Sequence, residues 1–250
     1  MARLSGVGDH DVIHAAPGIL LLAVLVLLIL QANTCCAGES KKVIMAATGL
    51  AESTKGSVEE QWPASSQFIV VKKDDPSPHI STVYAFEKKG GLWTTIFGPV
   101  RAVTGRNGFA QPGGKREGDG RTPTGTYPLG LVFGYPPTVV SSMPYRQMTA
   151  QDIWVDDPDS PDYNRLKKRG ETTARSSENM VLPDDRYKYG IIIEYNTNPV
   201  VPGRGSAIFI HIWKDDKTAT AGCVALSEET VLRLIRWLDP AKQPLIVLEK

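Results

Sequence analysis

Cysteine is scarce in this 250-residue chain, with three in all. Cys35 and Cys36 are adjacent near the N-terminus, so Cys223 stands alone in everything after them. If the N-terminal segment that carries Cys35 and Cys36 is cut off, Cys223 has no intramolecular disulfide partner. Histidine is nearly as rare: His10, His14, His79 and His211. One late cysteine and one nearby histidine supply two ligands where zinc takes three or four from the protein, so no metal site and no cofactor is expected. Excess charge of one sign is missing as well. A formal net charge of +1 gives no electrostatic case for nucleic acid or an anionic surface as partner. No repeat is visible. The glycine-rich stretch 111–120 lacks the Lys-Ser/Thr and the following apolar-periodic helix of a phosphate cradle, so it reads as a turn.

Long apolar runs are confined to the N-terminus. Ala15 to Leu30 is uncharged and falls short of the about 20 residues a spanning helix needs. With Arg3 ahead of it and the small residues Thr34-Cys-Cys-Ala-Gly38 behind, it reads as a signal peptide over 1–37, cut for example after Ala37. The expected location is therefore exported, in the periplasm or cell envelope. The alternatives are an uncleaved membrane anchor and lipidation at Cys35 or Cys36; in either version only the N-terminal segment touches membrane. Residues 38–66 are small and polar and are expected to form a flexible linker. The folded domain is expected over 67–250.

Within that domain the pattern is mainly β (α+β). Gln67–Val71 opens as a strand, and Ser81–Glu87 alternates. Lys88-Lys-Gly-Gly91 is a hairpin turn into Leu92–Phe97. Gly190–Tyr195 is a further strand. Ser227 caps a helix whose apolar face is Val231, Leu234, Ile235 and Leu238, and Asp239-Pro240 ends it. Residues 145–190 are polar throughout and are expected to be a long loop or lid insertion, in which Arg165, Lys167 and Lys168 are candidates to meet a substrate carboxylate or, more simply, to form a solvated face.

The chemistry-bearing stretch is Ala207–Cys223. Ile208, Ile210 and Ile212 alternate with Phe209, His211 and Trp213, which puts His211 on a strand face opposite the isoleucines. Cys223, directly after Gly222, lies twelve positions beyond His211, across the polar turn Lys214–Thr218. A thiol nucleophile needs a base nearby, and a strand-loop reversal would bring His211 to it. His79, in a Pro-rich loop, is the weaker candidate. The bland alternatives are a small buried hydrophobe for Cys223 and a satisfied core residue for His211. Gly222 leaves room for close approach, so the Gly222 and Cys223 amides are candidates for an oxyanion site.

This stretch resembles the signature of the L,D-transpeptidase catalytic-domain (YkuD-like) family: a strand histidine, a variable loop, then Ser/Thr-His-Gly-Cys. Here it reads His211, a loop shorter than usual in the family, then Thr220-Ala221-Gly222-Cys223. Gly105-Arg-Asn-Gly108 and Gly118-Asp-Gly-Arg-Thr-Pro-Thr-Gly-Thr-Tyr127 resemble the family's Gly-rich loop and strand entry, and Pro244–Leu248 its closing strand. The departures are Ala221, where the motif has a histidine, and Ala225, where an arginine is common. The resemblance implies a β-sandwich or barrel with a few short helices and one helix after the catalytic cysteine. It implies Cys223 as nucleophile, His211 as base and Thr220 as a supporting residue. The implied partners are peptidoglycan stem peptides, with carbapenems as covalent inhibitors. The reaction would be L,D-transpeptidation or L,D-carboxypeptidation through a thioester. A non-catalytic cell-wall binding protein on the same fold is the competing expectation. A secreted cysteine peptidase of unrelated fold fits less well, because papain-like order is cysteine first and a distant histidine.

Overall fold

The computed structural model describes residues 54–73 and 76–250. The signal peptide expected at 1–37 and the first part of the linker lie outside the described residues. Among the described residues, no helix is long and apolar enough to cross a membrane.

The domain is a closed sheet. The order is β12-β1-β2-β3-β11-β10-β9-β4-β5, and β12 also pairs with β4, so eight of the nine strands form a barrel-like ring. The strands are β1 (Gln67–Lys73), β2 (Ile80–Lys89), β3 (Leu92–Val103), β4 (Gly125–Gly134), β5 (Tyr145–Gln147), β9 (Tyr189–Ile193), β10 (Phe209–Ile212), β11 (Val224–Leu226) and β12 (Leu245–Glu249). Closure depends on the last strand: β12 lies parallel to β1, with Phe68 opposite Leu245, and antiparallel to β4, with Ile246 opposite Tyr127. The β2–β3 hairpin turns through Gly90-Gly91, both at positive φ, which L side chains rarely adopt.

The ring is filled by aliphatic side chains, among them Ile69, Val71, Val83, Ile191, Ile193, Ile210, Val224, Leu226, Ile246 and Leu248. Helix α1 (Glu228–Trp237) packs Val231, Leu234 and Ile235 into it. As expected, Ser227 is its N-cap, accepting from the Thr230 amide at 3.2 Å, with Glu228 and Glu229 in the first turn. A 3-10 turn, Pro240–Lys242, follows.

Two expectations need correction. Residues 54–61, within the segment read as linker, are helical. Val58 is buried, Thr54 donates to Glu249, and Glu59 accepts from Lys88 and Trp93, so tertiary contacts hold a piece that composition marks as loose. Residues 145–190 are not one loop. They supply edge strand β5 and a second antiparallel sheet, β7-β6-β8, from β6 (Asp152–Val155), β7 (Leu166–Lys168) and β8 (Ser177–Asn179). Their polar side chains pair with one another: Asp152 accepts from Arg146, Lys168 and Thr149, and Asp157 from Arg175. This insertion covers the outer face of β4, β9 and β10. Phe133, Met148, Trp154, Met180, Tyr187, Ile192, Phe209 and Cys223 make a second, more aromatic cluster there.

Candidate active site

His211 and Cys223 face one cavity of about 420 Å³, on the insertion side of the barrel wall. Glu117, Asp156, Glu178, Arg186, Tyr187 and Ala221 also line it. The volume lies in the range of ligand pockets, about 300–1,000 Å³. The two residues do not meet through a hairpin reversal. β10 and β11 are parallel neighbours, with Ile210 opposite Val224 and His211 opposite Ala225, and residues 213–223 carry the chain back to the start of β11. Parallel pairing requires such a crossover.

His211 is 4 % exposed. Its Nδ1 lies 2.8 Å from the Ile212 carbonyl, which can only accept, so Nδ1 carries the proton and Nε2 is left as the basic atom. Burial pushes the imidazole down to about 4, with Arg186 adding to the shift and the Ile212 bond and Asp184 opposing it. At neutral pH the ring is therefore uncharged.

Cys223 is 7 % exposed. Its Sγ donates to the Ala207 carbonyl at 3.2 Å and accepts from the Phe209 amide at 3.4 Å. Burial, then the Glu178 carboxylate, push the thiol up to about 12, while the Phe209 amide, Lys115 and Arg186 act the other way. The resting pair is a neutral thiol beside a neutral imidazole. Ala207 has a left-handed backbone, φ 53°, which is costly for a residue with a Cβ. Asn164 of the insertion helps hold it there: its Oδ1 accepts from the Ala207 amide and from Trp154, and its Nδ2 donates to the carbonyls of Tyr195 and Asn196.

The turn before the cysteine is fixed by Thr220. Its hydroxyl donates to the Cys223 carbonyl at 2.7 Å and accepts from the Gly222 amide at 3.1 Å. Its own amide and carbonyl are tied to Thr104 and Arg106. Glycine is required at 222, since a Cβ there would stand 2.9 Å from the Arg121 carbonyl. The Thr122–Gly125 segment is scaffold: Thr122 is buried and its hydroxyl accepts from the Gly105 amide, while Thr124 donates to the Ala110 carbonyl.

Arg165, Lys167 and Lys168 do not line this cavity; Lys167 pairs with Asp162 and Lys168 with Asp152. His79 lies elsewhere, against the Lys217 carbonyl. The cation that lines the cavity is Arg186. Glu178 and Tyr187 also escaped the sequence reading, since no spacing ties them to Cys223. Ala221 is exposed on the cavity wall, whereas Ala225 is buried in the sheet between His211 and Val103.

Neither the curated proteins nor the solved structures give a match to this chain. Among protein-family models, YkuD, the L,D-transpeptidase catalytic domain, matches residues 66–247, from the strand that opens the barrel to the one that closes it and across both His211 and Cys223. The match spans most of the chain, agrees with the β-rich closed sheet, and makes this protein a member of the L,D-transpeptidase catalytic-domain family.

Proposed function

We propose that the protein is an exported cysteine acyltransferase acting on peptidoglycan stem peptides, with Cys223 as nucleophile and His211 as general base. The observation that carries this reading is the shared cavity: an imidazole on β10 and a thiol on the residue that leads into the parallel strand β11, the imidazole with Nδ1 engaged and Nε2 free to take a proton. Because both groups rest neutral, the thiol proton passes to His211 Nε2 as sulfur attacks the scissile carbonyl, rather than beforehand. The Cys223 amide stabilises the oxyanion, while the Gly222 amide stays bonded to the Thr220 hydroxyl and holds the turn. Collapse breaks the C–N bond, and the leaving amine takes the proton from His211. The thioester is then opened by an acceptor amine in transpeptidation or by water in carboxypeptidation. Family membership and the cavity's size support a peptide substrate.

The test is intact mass after incubation with a tetrapeptide stem and, separately, with a carbapenem, beside Cys223→Ala and His211→Ala. The expected result is one acyl adduct that disappears with Cys223→Ala and forms about 10²–10⁴-fold more slowly with His211→Ala. No adduct, together with a thiol inert to alkylation, would sink the catalytic reading and leave the wall-binding alternative.

A further inference from the structure

The Ile212 carbonyl fixes the protonation of His211 but restrains the ring through one atom only. The other restraint comes from Tyr187, which is 3 % exposed and meets the imidazole edge-on, centroids 5.1 Å apart at 75°. Tyr187 is itself wedged against Phe133 and Phe209, at 5.9 and 5.8 Å. The backbone is in step with this contact, since the Ile212 amide donates to the Arg186 carbonyl at 3.0 Å. Its phenol donates to Glu178 Oε1 at 2.5 Å, and Glu178 lies on β8 of the insertion.

A phenylalanine would fill the same aromatic space without needing a carboxylate in the cavity. The pair is costly: burial raises both the Glu178 carboxyl and the Tyr187 hydroxyl. The Glu178 charge also disfavours the Cys223 thiolate. An arrangement that costs stability and opposes thiolate formation calls for a compensating use, and the phenol–carboxylate bond supplies it by fixing the ring that lies against His211. We propose that Tyr187 is a positioning residue for the chemistry at Cys223, holding the His211 imidazole by ring contact, while Glu178 of the insertion sets the angle of the phenol.

This rests on His211 acting as base for Cys223. The experiment therefore reads the thiol and needs no substrate. Alkylation of Cys223 by iodoacetamide is followed by intact mass in wild type, Tyr187→Leu, Tyr187→Phe and His211→Ala, and with each Tyr187 change combined with His211→Ala. Tyr187→Leu should slow alkylation about tenfold and Tyr187→Phe about threefold, and both effects should vanish in the His211→Ala background. In Tyr187→Leu the acid limb of the pH profile should also move up toward the ordinary imidazole range, as His211 loses cover. The groups bearing on that limb are Arg186, Asp184 and the Ile212 carbonyl on His211, and Glu178, Lys115 and Arg186 on Cys223. If Tyr187→Leu fails to fold, the Tyr187→Phe pair carries the test. Equal slowing in both backgrounds, or none in either, overturns the proposal while leaving His211 as base. An unchanged rate in His211→Ala alone overturns the base assignment itself, and the positioning role with it.

Discussion

Residues 208–212 separate two interiors of different character. On one side Ile208 and Ile210 join the aliphatic filling of the barrel with Val224, Leu226 and the α1 residues. On the other, Phe209 packs with Trp154, Tyr187 and Cys223, and His211 opens on the cavity. The first interior is apolar contact throughout, stabilising by about 1.5–3 kcal/mol per large side chain. In the second, many buried groups carry a polar atom with a specific partner: Asn164 with Trp154, Tyr187 with Glu178, Tyr163 and Ser206 with Glu117. Asp156 Oδ1 is a buried oxygen without a partner among the described residues. The aliphatic interior and the cavity thus lie on opposite faces of one strand.

That division can be broken by mutation. Leu234→Ala, in the aliphatic interior, should cost about 2–5 kcal/mol in urea unfolding while leaving the alkylation rate of folded Cys223 unchanged. A matching fall in thiol reactivity would mean that the two interiors act as one unit.

A somewhat smaller effect belongs to the other side and depends on pH. His211 rests at about 4 in the folded protein against 6.5 ordinarily. Between those values the unfolded chain binds a proton that the folded chain does not, so stability falls as pH drops through 6.5 toward 4 and the loss levels off below. The whole window is worth about 3 kcal/mol. Urea unfolding of His211→Asn should lack this component when compared with wild type at pH 7 and 4.5; identical pH dependence in the two proteins would contradict the burial assigned to the ring. Smallest of all, Ser227→Ala should cost about 1 kcal/mol in thermal or urea unfolding, through the lost cap on the Thr230 amide, without altering the pH dependence.

The barrel was more legible in the sequence than its cover. β1 announces itself through a continuous apolar run, β2 through alternation, the β2–β3 hairpin through paired glycines, and α1 through Ser227 and its apolar face. β6, β7 and β8 are three or four residues each, too short for a period to register, and their polar side chains find partners through tertiary packing, Asp152 with Arg146 and Lys168, Lys167 with Asp162 and Glu178 with Tyr187. β11 hides between Cys223 and Ser227, and nothing local signals that it lies parallel to β10. The same physics governs the site. His211 and Cys223 stand out because their residue types are rare and their motif is compact. Tyr187 and Glu178 reach them through tertiary packing alone. Helix 54–61 escaped for a similar reason, since its contacts with Glu249, Lys88 and Trp93 come from distant strands.

The parallel seating of β10 beside β11 has an implication for how such a site tolerates change. Strand register, not the number of residues between them, sets the separation of imidazole and thiol. The chain leaving β10 is anchored again at Thr220, and between these points the Asp216 carbonyl accepts from Arg101 of β3 and the Lys217 carbonyl meets His79, just ahead of β2. Lengthening or shortening residues 214–218 therefore alters the span of a surface arch while its two footings stay fixed. Each doubling of a flexible loop costs only about 0.6 kcal/mol. A short arch between the two signature residues is compatible with an intact site, and the arch itself is a place where sequence can drift, or be engineered, without moving the imidazole or the thiol.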